Sequence, residues 1–259
     1  MLHGFPSSSR MFEQLIPGLG DAFWVIAPDH LGFGHSDAPP AYRFAYTFDR
    51  LAAIAEHWTQ AVGLRRYTLF VQDYGGPIGM RLAVAHPDRL QALIVQNAVS
   101  HEAGLGPLWD QRRAFWRDRA ANEAALRENL LSLAATKQRH IGSTPHPERY
   151  SPDLWVDEYR FLTQPGMIDI QSDLFYDYRT NVASYPAWQE FLRATQPPLL
   201  VVWGRYDPSF QTAGALAYRD DVPGAQVHLL DAGHFALDEA ADEITALTRT
   251  FLAQVNAAR

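Results

Sequence analysis

The sequence of 259 residues contains no cysteine, which excludes disulfides, thiolate catalysis and zinc-thiolate sites and is compatible with any redox compartment. No apolar stretch approaches the roughly 18 residues of a membrane span, and the N-terminus lacks the charged and apolar regions of a signal peptide. Neither charge sign dominates: 22 Lys and Arg stand against 29 Asp and Glu, a net charge of −7, with no basic run. The electrostatic footprint of a nucleic-acid binder is therefore missing. There is no internal repeat and no low-complexity tract. These absences lead us to expect a cytoplasmic protein whose partners are a small apolar substrate and water, with no nucleic acid and no membrane. Self-association is left open, and no cofactor or metal is expected. What is present is ordinary for a globular chain, with 47% hydrophobic and 20% charged residues. α/β folds of this length commonly form one domain with an insertion.

The chain is organised around Thr68-Leu69-Phe70-Val71-Gln72-Asp73-Tyr74-Gly75-Gly76, an apolar run that ends in polar residues and a Gly pair before a helix-like segment. Such a run reads as a buried strand, and the turn after it puts Asp73 at the strand's carboxyl end, where open α/β sheets bind ligands. The spacing is that of the nucleophile elbow, with Asp73 in the serine position, Gly75 as the trailing glycine and Val71 where the first glycine would be. An ionised carboxylate there attacks an sp³ carbon and forms an alkyl ester. Asp also suits the plainer role of capping the following helix.

Taken in order, residues 10–19 read as a helix after the turn His3-Gly4-Phe5-Pro6, and Phe23-Trp24-Val25-Ile26-Ala27 as a strand. Residues 28–37 form a Gly-rich loop, 48–62 a helix, 68–71 a strand, and 93–97 the next buried strand. Residues 102–184 change texture to a Trp- and Arg-rich, largely helical segment without a strand-like run. A helix over 185–194 and strands at 198–204 and 225–230 follow; the ends of these last two deliver Asp207 and His234. Alternation of strand and helix argues for a mostly parallel, doubly wound sheet. Asp73, Asp207 and His234 stand in the order nucleophile, acid, histidine.

These pieces resemble the α/β-hydrolase superfamily, and more narrowly its aspartate-nucleophile branch of epoxide hydrolases and haloalkane dehalogenases. The matching motifs are His3-Gly4-Phe5-Pro6, Pro28-Asp29-His30-Leu31-Gly32-Phe33-Gly34-His35-Ser36-Asp37, Val71-Gln72-Asp73-Tyr74-Gly75-Gly76, Gly204-Arg205-Tyr206-Asp207-Pro208 and Gly233-His234-Phe235. The resemblance implies an α/β-hydrolase core over 1–102 and 185–259 with a helical cap over 103–184. It also implies that Asp73 is esterified, that His234 activates water with Asp207 orienting it, and that the backbone N–H groups of Phe5 and Tyr74 form the oxyanion hole. Tyr178, in Tyr176-Asp177-Tyr178-Arg179, falls on the epoxide hydrolases' ring-opening tyrosine.

The leaving group is less defined. Tyr74 stands where haloalkane dehalogenases commonly place an indole, and residues 103–118 lack the second tyrosine that epoxide hydrolases use; Tyr150, Tyr159 or Tyr176 would serve only by pointing inward. Opening of a small epoxide is the main expectation, a haloalkane or haloacid dehalogenase the alternative, and a non-catalytic small-molecule binder the reading from another class. In this family, too, the loop after His-Gly follows a strand lying between the strands here at 23–27 and 68–71. The chain begins two residues before that loop, so the N-terminal strands are expected to be missing from it, an upstream segment of roughly 25–35 residues by resemblance. A sheet closed up by pairing of 23–27 with 68–71 is the alternative, because a gap would leave backbone groups unpaired across about 9–10 Å.

Overall fold

The computed structural model describes residues 1–258. Four parallel strands, β1 (Tyr67–Gln72), β2 (Leu90–Gln96), β3 (Leu199–Gly204) and β4 (Gln226–Leu230), lie side by side in that order. Successive side chains on each strand go to opposite faces, so both faces need cover. Leu69, Val71, Leu93, Val95, Val201 and Trp203 pack into one core with α2 (Phe48–Ala61), α3 (Gly75–Ala85) and α9 (Thr212–Asp221). Phe70, Ile94, Leu200, Val202 and Leu230 enter the other, under α1 (Leu15–Leu19) and α10 (Ala236–Ala257). Between β2 and β3 the chain makes α4 (Trp109–Arg117), α5 (Arg119–Leu131), α6 (Leu133–Ile141), α7 (Pro152–Leu162) and α8 (Met167–Thr195). No helix among the described residues is long and apolar enough to cross a membrane.

Several local expectations are corrected. Residues 23–27 are not a strand. Leu2 takes the free edge of β1 instead: its N–H donates to Phe70 O at 2.8 Å and its carbonyl accepts from Gln72 N–H at 3.1 Å. The Met1 amino group donates to Ile26 O at 2.7 Å. Residues 23–27 are thereby held one strand's width from β1, and closure by direct pairing with 68–71 does not occur. A cavity of about 310 Å³ opens there, between Phe23, Val25 and Ile26 on one side and Tyr67 and Leu69 on the other; none of Asp73, Asp207 or His234 lines it. The predicted helix over 10–19 is broken into a 3-10 turn at Ser9–Phe12 and the short α1. The helix at 48–61 is capped by the Thr47 hydroxyl, which accepts from Arg50 N–H at 3.2 Å. Residues 184 and 185 fall inside the continuous α8, so no chain break separates the helical segment from the helix predicted at 185–194.

Candidate active site

All three sequence-predicted triad residues sit at carboxyl ends of strands. Asp73 follows β1 directly, in the left-handed region at φ 45°, a conformation costly for a residue with a side chain and maintained here by its surroundings. Its backbone is pinned by Asp73 N–H to Asn97 O at 3.3 Å and by Gly76 N–H to Asp73 O at 2.9 Å. The loop 3–6 comes so close that a Cβ on Gly4 would stand 2.3 Å from Asp73 Cβ, so only glycine fits. That approach brings Phe5 N–H to Asp73 Oδ1 at 2.8 Å. The loop is fixed from behind by His3 and His30: His30 N–H donates to His3 Nε2 at 3.0 Å, and His30 Nε2 lies 3.0 Å from His3 O. Burial lowers the His3 pKa to about 4, so the ring is a neutral acceptor.

Asp207 is delivered by the turn after β3 and saturated with donors. Ser209 N–H and Phe210 N–H reach Oδ1 at 2.6 and 3.0 Å, while Asn97 Nδ2 and His234 Nδ1 reach Oδ2 at 2.8 and 2.7 Å. His234 can approach because Gly204 carries no side chain; a Cβ there would lie 1.8 Å from Gly233 O. With Nδ1–H donated to Asp207, Nε2 faces Asp73 Oδ2 at 3.7 Å and accepts from the Gln72 side-chain amide at 3.0 Å. Burial pushes the Asp73 carboxyl up, against the pull of His234, the Phe5 and Tyr74 N–H groups and Arg139. The site thus holds a buried carboxylate, two backbone donors converging on it, and an oriented imidazole beside it. Such a set can attack carbon, stabilise an oxyanion and take a proton from water.

The other wall comes from the helical segment. Trp109 and Arg112 of α4, Arg139 of α6, and Phe175 and Tyr178 of α8 enclose a cavity of about 10 Å³ with Phe5, Asp73 and Tyr74, which is room for about one water. Substrate entry therefore requires these side chains to move apart. Tyr178 is 1% exposed, with its ring 4.7 Å from Trp109, 5.6 Å from Phe48 and 5.8 Å from Tyr74. Neither its hydroxyl nor that of Tyr74 has a hydrogen-bond partner. The Tyr185 hydroxyl influences that of Tyr178 without reaching hydrogen-bonding geometry. Burial first, then Asp73 for Tyr74, and Tyr185 and Asp73 for Tyr178, push both phenols well above their usual range, so both stay protonated donors. The Trp109 indole N–H is committed to Ser209 O and that of Trp116 to Phe175 O, both at 2.8 Å. None of the other candidate tyrosines, Tyr150, Tyr159 and Tyr176, lines this cavity; Tyr150 donates to Glu239, and Tyr176 lies under the Arg179 guanidinium, 3.8 Å from its ring centre.

Sequence reasoning missed Gln72, Asn97, Arg112 and Arg139. Asn97 carried a usable signal, since it ends the strand after the elbow; the arginines carried none.

An ordered carboxylate, acid and imidazole at the carboxyl ends of a parallel sheet define a hydrolase of the α/β type. A family model for the alpha/beta hydrolase fold matches residues 1–241, and the chain belongs to this family. It is 37% identical over 243 residues to an uncharacterized hydrolase of Saccharomyces cerevisiae, covering 92% of this chain and 83% of that one. It is 30% identical over 252 residues to a haloalkane dehalogenase of Mycobacterium marinum, covering 94% and 80%. Among solved structures it is similar to the epoxide hydrolase CorEH, with TM-score 0.78 at 18% identity over 98% of this chain and 90% of that one.

Proposed function

We propose that the protein opens a small epoxide to a diol through an alkyl ester on Asp73, with residues 103–184 acting as the cap. In the first step an Asp73 oxygen attacks a ring carbon, the carbon–oxygen bond of the ring breaks, and Tyr178 gives its proton to the departing oxygen. His234 then takes a proton from water, which attacks the ester carbonyl. The oxyanion is held by Phe5 N–H and Tyr74 N–H. On collapse the imidazolium protonates the diol oxygen, and the carboxyl proton left on Asp73 returns to the tyrosinate, so both charges are restored. Asp207, held by Asn97, keeps the imidazole in its tautomer throughout.

The observation that carries this reading is the unpartnered, buried Tyr178 hydroxyl beside Asp73, because a protonated phenol suits an oxygen leaving group. The haloalkane dehalogenase alternative is disfavoured by the commitment of the Trp109 indole N–H to Ser209 O, which leaves no free indole donor beside Asp73. A non-catalytic binder has no need of Asp73, Asp207 and His234 together. A panel of epoxides, haloalkanes, haloacids and simple esters tests the reading. Diol formation without halide release is expected; halide release without diol, or ester cleavage alone, would contradict it.

A further inference from the structure

Arg112 and Arg139 face the cavity and not the surface. Each is enclosed, 6% and 7% exposed, and each lines the cavity that holds Asp73. Arg112 Nε and Arg139 Nη1 have no hydrogen-bond partner. Other arginines of the same helical segment are paired at the surface, Arg119 with Asp173 at 2.7 Å and Arg127 with Asp169 at 2.8 Å. The enclosed pair instead rests on aromatic faces, Arg112 at 4.2 Å from the Trp109 ring centre and Arg139 at 4.5 Å from that of Phe5. Such contacts offset only part of the cost of removing a guanidinium from water. Burial, and for Arg139 its neighbour Arg112, lower both pKa values, that of Arg139 to about 10, which still leaves it cationic at neutral pH.

The charge balance points to an absent partner. On the cavity wall two cations face one carboxylate, Asp73, whose charge passes to Tyr178 as the ester forms; Asp207 and Glu158, which also act on the pair, are committed to His234 and His140, so one cation stays unmatched throughout. A substrate with its own anionic group would supply the second negative charge. A guanidinium presents a planar fork that matches a carboxylate bidentately, and because both groups line the same cavity as Asp73, a short carbon chain would span the two functional ends.

We propose that Arg112 and Arg139 bind a substrate carboxylate, so that, on the epoxide reading above, the substrate class is a short epoxy acid and not the apolar molecule expected from the sequence. The reacting end lies against Asp73 and Tyr178, and the carboxylate lies against the two guanidinium groups of α4 and α6. Both groups belong to the wall whose side chains must move apart for entry.

Glycidate and its neutral isostere glycidamide test this directly. For the wild-type protein kcat/KM is expected to favour glycidate by about 10²-fold, the order expected of a charge-assisted bidentate contact. Arg112→Gln and Arg139→Gln are each expected to reduce that preference by about 10-fold or more. Equal or better use of glycidamide, or parallel loss on both substrates in the variants, would overturn the proposal. An arginine dependence of the same size for a neutral chloroalkane would also overturn it, by assigning the guanidinium groups to the leaving group. A second measurement needs neither turnover nor a variant. Cyclopropanecarboxylate, an inert analogue, should raise the thermal midpoint of the wild-type protein, while cyclopropanecarboxamide should not; equal effects of the two would count against the site. Protection by the acid without turnover of any epoxide would sink the epoxide reading and leave the anion site standing. Turnover of epoxides without preference for the acid would do the reverse.

Discussion

On the sheet side of the cavity Asp207 accepts four hydrogen bonds and His234 is held at both ring nitrogens. On the helical side Arg112, Arg139 and Tyr178 present polar atoms with no partner. The difference separates two tasks. Groups that must be correctly oriented before substrate arrives sit at strand ends and are fixed by backbone N–H groups and by the side chains of Asn97 and Gln72, so they need no reorganisation at the moment of reaction. Groups proposed to recognise and protonate the substrate are enclosed but unsatisfied, and a bound ligand would complete them. Buried polar atoms left unpaired cost about 1–3 kcal/mol each; the Tyr74 hydroxyl on the sheet side is one too, but it sits on the fixed elbow, and the helical wall is the part expected to yield on entry.

The comparison would break most completely at Asp73. Asp73→Asn is expected to lower kcat by about 10⁴-fold or more, as loss of a covalent nucleophile does, with little change in the thermal midpoint because a neutral isostere relieves a buried charge. Steady-state kinetics near the wild-type rate would remove Asp73 from the chemistry. On the opposite wall, Tyr178→Phe should lower kcat by about 10². It should leave stability unchanged or slightly raised, since the hydroxyl it deletes bonds to nothing. Destabilisation without loss of rate would make Tyr178 a packing residue.

A smaller effect sharpens the comparison where the two walls join. His140 of α6 lies between Glu158 of α7 at 2.7 Å and Asp238 of α10 at 3.1 Å, and stacks 4.2 Å from Phe235 beside His234. Burial opposes its charge, yet Glu158 and Asp238 hold its pKa up to about 9. A raised histidine pKa contributes stability that is complete below the unfolded value near 6.5 and is lost as pH rises through about 9. The wild-type thermal midpoint should therefore fall by a few degrees over that window, an effect on the order of 1–3 kcal/mol. In His140→Gln that slope should be absent. An unchanged slope in the variant would place the titration elsewhere.

Asp73, Asp207 and His234 were legible in the sequence because each follows a short apolar run, and strand ends are local features with a fixed relation to the sheet. Tyr178 and Phe5 were legible only through motif resemblance. Arg112 and Arg139 were not, because they lie on different helices in an Arg-rich stretch where most arginines are solvated; nothing local distinguishes an inward guanidinium from an outward one. Gln72 was passed over as the strand's last residue, although strand alternation on both buried faces left it nowhere to point but into the site. The failure at residues 23–27 has a different origin. The run is apolar enough for a strand, but strand formation needs a partner edge, and Leu2 already occupies the one on β1.

The covalent step is the centre of the proposed mechanism, and a single turnover in heavy-oxygen (¹⁸O) water tests it most directly. With enzyme in excess over an epoxide substrate, the proposed attack of water on the ester carbonyl should place label first in the Asp73 carboxylate, detected by mass spectrometry of the peptide containing it, and the first diol released should be unlabelled. Label carried straight into the diol, with none in Asp73, would mean that water attacks the substrate carbon and that Asp73 forms no ester.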